Sequence, residues 1–143
     1  WAPSPRRFEA GTPAIGPGIG LGAACAWMQA LDWSGAHDHE MDLVQRLMDG
    51  LQKIDGTQIF GPAGLQNRYP VVSFMLDGVH PHDVAQTLDS FGVAVRAGHH
   101  CAQPLMDRFD LDGTTRVSMA PYNDNGDIDA LLAGVAHAAK TLR

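Results

Sequence analysis

Cysteine 101 stands in the run Arg96-Ala97-Gly98-His99-His100-Cys101, a cation-rich setting for a thiol. A free cysteine ionises near pH 8.5, so only a small share is nucleophilic thiolate at neutral pH. Nearby cations or backbone amides aimed at the sulfur raise that share. Arg96, His99 and His100 lie within five residues of Cys101, and Gly98 allows the tight turn that would expose it. This is the arrangement a reactive thiol needs. The competing reading is a small buried hydrophobe in a loop that happens to hold histidines. Arg96 and Arg116 both fall at expected strand ends, where a guanidinium suits two-pronged carboxylate recognition, or else an ordinary surface ion pair.

Zinc is a weaker alternative. Three adjacent residues, His99, His100 and Cys101, rarely converge on one tetrahedral metal, and no second ligand cluster stands at structural spacing. The pairs His37/His39 and His80/His82 read as exposed polar positions at helix starts. Cys25 sits in Ala-Ala-Cys-Ala-Trp and reads as a buried helical position. Two cysteines are too few for a disulfide framework, so both thiols are expected free, in a reducing cytoplasmic setting.

The elements that must position Cys101 follow from apolar spacing and turn residues. A helix is expected over 18–31, with Leu21, Cys25 and Met28 on one face. A second is expected over 37–54, with a stripe of Met41, Val44, Leu47, Met48 and Leu51 and Ser34 as a possible cap. Residues 57–60 and 71–76 read as strands, the second rich in branched and aromatic residues. Pro81 opens a helix whose inner face is Val84, Leu88 and Phe91. Strands follow at 93–96 and 114–119, with 101–109 an irregular loop or one helical turn. Asp124 or Asn125 caps a last helix facing inward through Ile128, Leu131, Leu132, Val135 and Leu142. The pattern predicts an α+β fold: one small mixed or antiparallel sheet with helices on one face. The helix over 18–31 has no evident place in that layer.

With 143 residues and a formal net charge of −6, the chain has the length of one ordinary domain and no basic run, which argues against nucleic-acid binding. No apolar stretch reaches the roughly 20 residues of a membrane span. Glycines crowd the nearest candidate, residues 15–30.

Three stretches together resemble one family. They are Arg7-Phe8-Glu9-Ala10-Gly11-Thr12-Pro13, then Arg96 through Met106 (Arg-Ala-Gly-His-His-Cys-Ala-Gln-Pro-Leu-Met), then Thr115-Arg116-Val117-Ser118-Met119-Ala120-Pro121-Tyr122-Asn123. In this order they resemble the C-terminal third of SufS-type (group II) cysteine desulfurases, in the class V aminotransferase family. The resemblance implies the small C-terminal domain of a fold-type I pyridoxal-phosphate enzyme over 35–143, with residues 1–34 the tail of the large cofactor-binding domain. It implies that Cys101 takes sulfur from L-cysteine, leaving L-alanine and a persulfide destined for iron–sulfur cluster assembly. Arg116 stands where the family binds the substrate carboxylate, and Arg96 lies near the same site. Thr12 matches a residue that reaches the cofactor phosphate of the partner subunit in a homodimer. His99 and His100 match the motif and imply a supporting electrostatic role. The family's sulfur acceptor is a protein of the SufE or SufU type.

The resemblance also marks an absence. Lys53 and Lys140 are the only lysines, and neither has the setting of the family's Schiff-base lysine. The expectation is therefore a share of an enzyme that does not bind pyridoxal phosphate by itself. Alternatives are a cofactor-free persulfide relay module and a selenocysteine lyase.

Overall fold

The computed structural model describes all residues, Trp1–Arg143. They divide into two compact units, Trp1–Trp33 and Ser34–Arg143.

The first unit holds a 3-10 turn at Arg6–Phe8 and helix α1 (Ile15–Ala30). No residue of α1 is buried. Ile15, Ile19, Leu21, Trp27 and Met28 are all exposed, so the apolar face expected from spacing exists but is bare. Cys25, expected to be buried, is exposed. The 3.6-residue period does align it with Leu21 and Met28, but these 33 residues supply nothing to cover that face.

The second unit begins within helix α2 (Trp33–Leu51) and continues through β1 (Thr57–Phe60), β2 (Val71–Leu76), α3 (Pro81–Ser90), β3 (Arg96–Gly98), α4 (Gln103–Phe109), β4 (Thr114–Ser118) and α5 (Asn125–Thr141). Local chemistry sets the helix starts. The His80 side chain caps α3 by accepting from the His82 backbone N–H at 3.2 Å, with Pro81 in the first turn. Asp124 caps α5 in a reciprocal box: its carboxylate accepts from the Gly126 and Asp127 N–H groups, and Asp127 accepts from the Asp124 N–H. Hydrogen bonds from Asn123 and from the Asp124 backbone hold the Asp127 carboxyl below its usual range. Helix α2 starts earlier than expected, so Ser34 lies inside it rather than capping it.

The four strands are antiparallel in the order β1-β2-β4-β3. Alternation sends Val72, Phe74 and Leu76 of β2 and Val117 of β4 to one face. There they join Val44, Leu47 and Leu51 of α2, Val84 and Leu88 of α3, and Ile128, Leu131 and Val135 of α5 in one cluster. Leu142, expected to point inward, is exposed beyond the end of α5, whereas Phe91, 38% exposed, turns its ring toward α5, 5.5 Å from that of His137. Phe74 lies at the centre, fully buried on an inner strand. Phe74→Ala is expected to cost about 3–5 kcal/mol, a large share of the roughly 5–15 kcal/mol of a whole domain. Urea unfolding checks this, with Leu21→Ala on exposed α1 expected to change stability by less than about 0.5 kcal/mol.

The opposite face carries a row across all four strands. Phe60 pairs with Ser73, Ser73 with Arg116, and Arg116 with Arg96. Short helix α4 sits against this face: Met106 is buried yet outside the main core cluster, and the Phe109 ring lies 5.8 Å from that of Phe60. The three long helices share one face as expected, and α4 adds a partial cover to the other.

Candidate active site

Strands β3 and β4 are neighbours in register, and residues 99–113 connect them. The connection carries Cys101, so the thiol leaves the sheet beside the two strands that bear Arg96 and Arg116. The turn is tight. Gly98 has φ +113°, and His100 and Cys101 follow at +57° and +59°. Two successive non-glycine residues in the left-handed region cost about 1–3 kcal/mol each, so the surroundings must hold them. The Ala102 N–H donates to His99 O at 2.9 Å and closes the turn. Gly113, at φ +148°, packs so closely that a Cβ there would stand 3.0 Å from the Gly98 backbone.

Cys101 is exposed, and its Sγ accepts from Arg96 Nη2 at 3.4 Å. This is a donor placed for a thiolate. Arg96 in turn faces Arg116 directly across the strand pair. Like charges opposite one another in a sheet are unfavourable unless an anion offsets them. Arg116 Nε is buried and has no hydrogen-bond partner. Arg116 lines a cavity of about 490 Å³ with Phe60, Ser73, His100, Met106, Phe109 and neighbouring residues. An unpaired guanidinium in a pocket walled by apolar groups is suited to a carboxylate.

The His100 ring is seated on β4. Its Nε2 lies 3.1 Å from Thr114 O and 2.8 Å from Thr114 Oγ1. Burial first, then the charges of Arg116, Arg96 and His99, push its pKa below the ordinary 6.5, against the bond to Thr114. The shift favours the neutral imidazole over the cation. His99 is exposed. Thr12 is exposed in a turn of the other unit, next to Gly11 at φ +82°. Sequence reasoning missed Thr114, Ser73 and Phe60. Only the strand register brings them to the arginines, although the glycine at 113 could have marked a close backbone approach.

The residues here do not form a pyridoxal-phosphate site on their own. Neither Lys53 nor Lys140 lines the Arg116 cavity; Lys53 lies in a polar groove with Arg46 and Asp129, and Lys140 in the last turn of α5. No group of three or more His, Cys, Asp or Glu side chains is arranged to hold a metal ion.

Residues 1–131 match the family model described as aminotransferase class-V. The chain belongs to this family. Within it, the chain is 49% identical over 138 residues to probable cysteine desulfurase 2 of Mycobacterium leprae, covering 96% of this chain and 33% of that protein. It is 46% identical over 135 residues to a probable cysteine desulfurase of Halalkalibacterium halodurans, covering 94% of this chain and 32% of that one. The apo structure of a cysteine desulfurase from Thermococcus onnurineus superposes with a TM-score of 0.85 at 39% identity, over 96% of this chain and 34% of that one. A cysteine desulfurase from Escherichia coli, in an S-sulfonic acid form, superposes at 0.84 with 37% identity, over 99% of this chain and 35% of that one. This class-V chain thus spans about a third of the length of the relatives it matches.

Proposed function

We propose that the chain is the C-terminal part of a pyridoxal-phosphate-dependent cysteine desulfurase, and that Cys101 receives the sulfur of L-cysteine. The observation that carries this reading is the Arg96–Cys101 contact one strand away from the unpaired Arg116. Arg116 clamps the substrate carboxylate in the cavity, and Arg96 holds the acceptor thiolate. Cys101 Sγ attacks the substrate sulfur, so an S–S bond forms as the Cβ–S bond breaks. The electron pair left on the substrate side is taken up with a proton at Cβ, which completes L-alanine. The cofactor, whose Schiff-base lysine is outside this chain, would supply the electron sink that makes that bond breakable.

The persulfide then passes to an acceptor protein of the SufE or SufU type for iron–sulfur cluster assembly in the cytoplasm. In the homodimer of this reading, Thr12 reaches the cofactor phosphate of the partner subunit. No helix is long and apolar enough to cross a membrane. The full-length protein carrying this segment, incubated with L-cysteine and pyridoxal phosphate, is expected to yield alanine and a one-sulfur mass gain on the Cys101 peptide. Alanine with the added sulfur on Cys25, or on neither cysteine, would overturn the assignment.

A further inference from the structure

We propose that His100 is a positioning residue: an imidazole locked as its Nε2–H tautomer that ties the Cys101 turn to β4, two residues from Arg116. The inference deepens the sulfur-accepting role proposed for Cys101 and rests on it for its catalytic meaning, though the geometry stands independently.

The tautomer follows from the partners. Thr114 O is a carbonyl oxygen and only accepts, so a hydrogen bond to it across 3.1 Å places the proton on Nε2, whereas a bare Nε2 accepting from the Thr114 hydroxyl would leave a buried Nδ1–H donor unmet. The Thr114 hydroxyl at 2.8 Å completes the seat. Nδ1 is then the bare nitrogen. It is buried and has no partner, so a proton placed there would be a buried cation with no acceptor. The charged groups acting on the ring are the guanidiniums of Arg116 and Arg96 and the imidazole of His99, and no carboxylate is among them.

The tether has something to hold. His100 and Cys101 both occupy left-handed backbone that non-glycine residues rarely adopt. Thr114 is the first residue of β4, paired with Gly98 at the mouth of the same connection. The hydrogen bond thus closes the turn onto the strand that carries Arg116. It keeps Sγ at Arg96, and sulfur acceptor and carboxylate clamp keep one spacing.

Nitrogen-15 NMR of histidine-labelled protein tests the tautomer without reference to any activity. His100 is expected to show Nε2–H and bare Nδ1 at pH 7 and to titrate below 6.5. An Nδ1–H tautomer, or titration at or above that value, would sink the proposal.

Alkylation of Cys101 at pH 7, followed on its own peptide, tests the tether. His100→Ala is expected to slow it at least about threefold, because Sγ leaves Arg96. His100→Gln, whose amide N–H can still donate to Thr114 O, should recover to within about twofold of the parent. Equal losses in both variants would mean that the imidazole acts by charge, and the proposal fails. If alanine at 100 unfolds the chain, the NMR result on the unaltered protein decides. Failure of the desulfurase reading would instead appear as normal tautomer and alkylation behaviour without alanine formation in the full-length enzyme.

Discussion

Replacing Cys101 with serine is expected to lower alanine formation by the full-length enzyme on the order of 10³-fold or more, the scale of losing a covalent nucleophile. The two side chains are close in size, and a serine hydroxyl can still accept from Arg96. The turn should therefore survive, and substrate should still bind. What is lost is chemical: the thiolate is the nucleophile, and a hydroxyl is almost wholly protonated at neutral pH. Steady-state alanine release, paired with direct substrate binding, separates the two effects. Residual turnover within tenfold of the parent would move the sulfur acceptor elsewhere. Cys25 is the candidate to eliminate, since it too is exposed and free. It lies on α1, in a different unit from the arginines. Cys25→Ala should leave alanine formation within about twofold of the parent, because on this reading Cys25 takes no part in sulfur transfer.

Much of the fold was readable because local signals agreed with one another. The stripe from Met41 to Leu51 matches a helix period and is buried in α2. The branched run at 71–76 is the inner strand β2. Asp124, placed before an apolar-periodic run, caps α5. Two of the misses share a cause, which is that each depended on a partner distant in sequence. The spacing of Leu21, Cys25 and Met28 marks a face but says nothing of what covers it, and no residue of α1 is buried. The segment after Cys101 was an open choice between loop and helical turn, whereas it forms helix α4. That helix is held partly by Met106 and by the Phe109–Phe60 contact across 49 positions of sequence, a pairing that no local window contains.

The site divides in the same way. The identities of Cys101, Arg96 and Arg116 were legible from residue type and motif. Their relation was not. Arg96 and Arg116 are 20 positions apart, and only the antiparallel register of β3 with β4 makes them neighbours. His100 is the instructive case. Its place beside a cysteine suggested a cation that assists ionisation, but that inference assumed solvent around the ring. Burial and two guanidiniums weigh against the charged form, since a second or third positive charge in a partly desolvated site is unfavourable.

Arg116 exposes the tension between folding and chemistry most clearly, and Arg116→Met is expected to separate them. The guanidinium has a buried Nε without a partner and another arginine directly opposite. An unmet buried donor costs about 1–3 kcal/mol, and opposed like charges add to that. Methionine keeps much of the side chain's reach and apolar stem but removes both costs. Thermal unfolding of the variant should therefore show an unchanged or higher midpoint. Catalysis should move the other way. Charge-assisted hydrogen bonds are worth about 1.5–3 kcal/mol each, so losing a paired grip on a carboxylate should lower kcat/KM by about 10²- to 10⁴-fold. If the grip holds substrate and transition state alike, the loss falls mainly on KM. Arg116→Lys keeps the charge but loses the planar two-pronged fork, and should lie between the parent and methionine. A fall in unfolding midpoint matching the fall in activity would make Arg116 an ordinary structural residue. Activity lost with stability retained is the signature of a charge kept in an unfavourable place for the sake of its ligand.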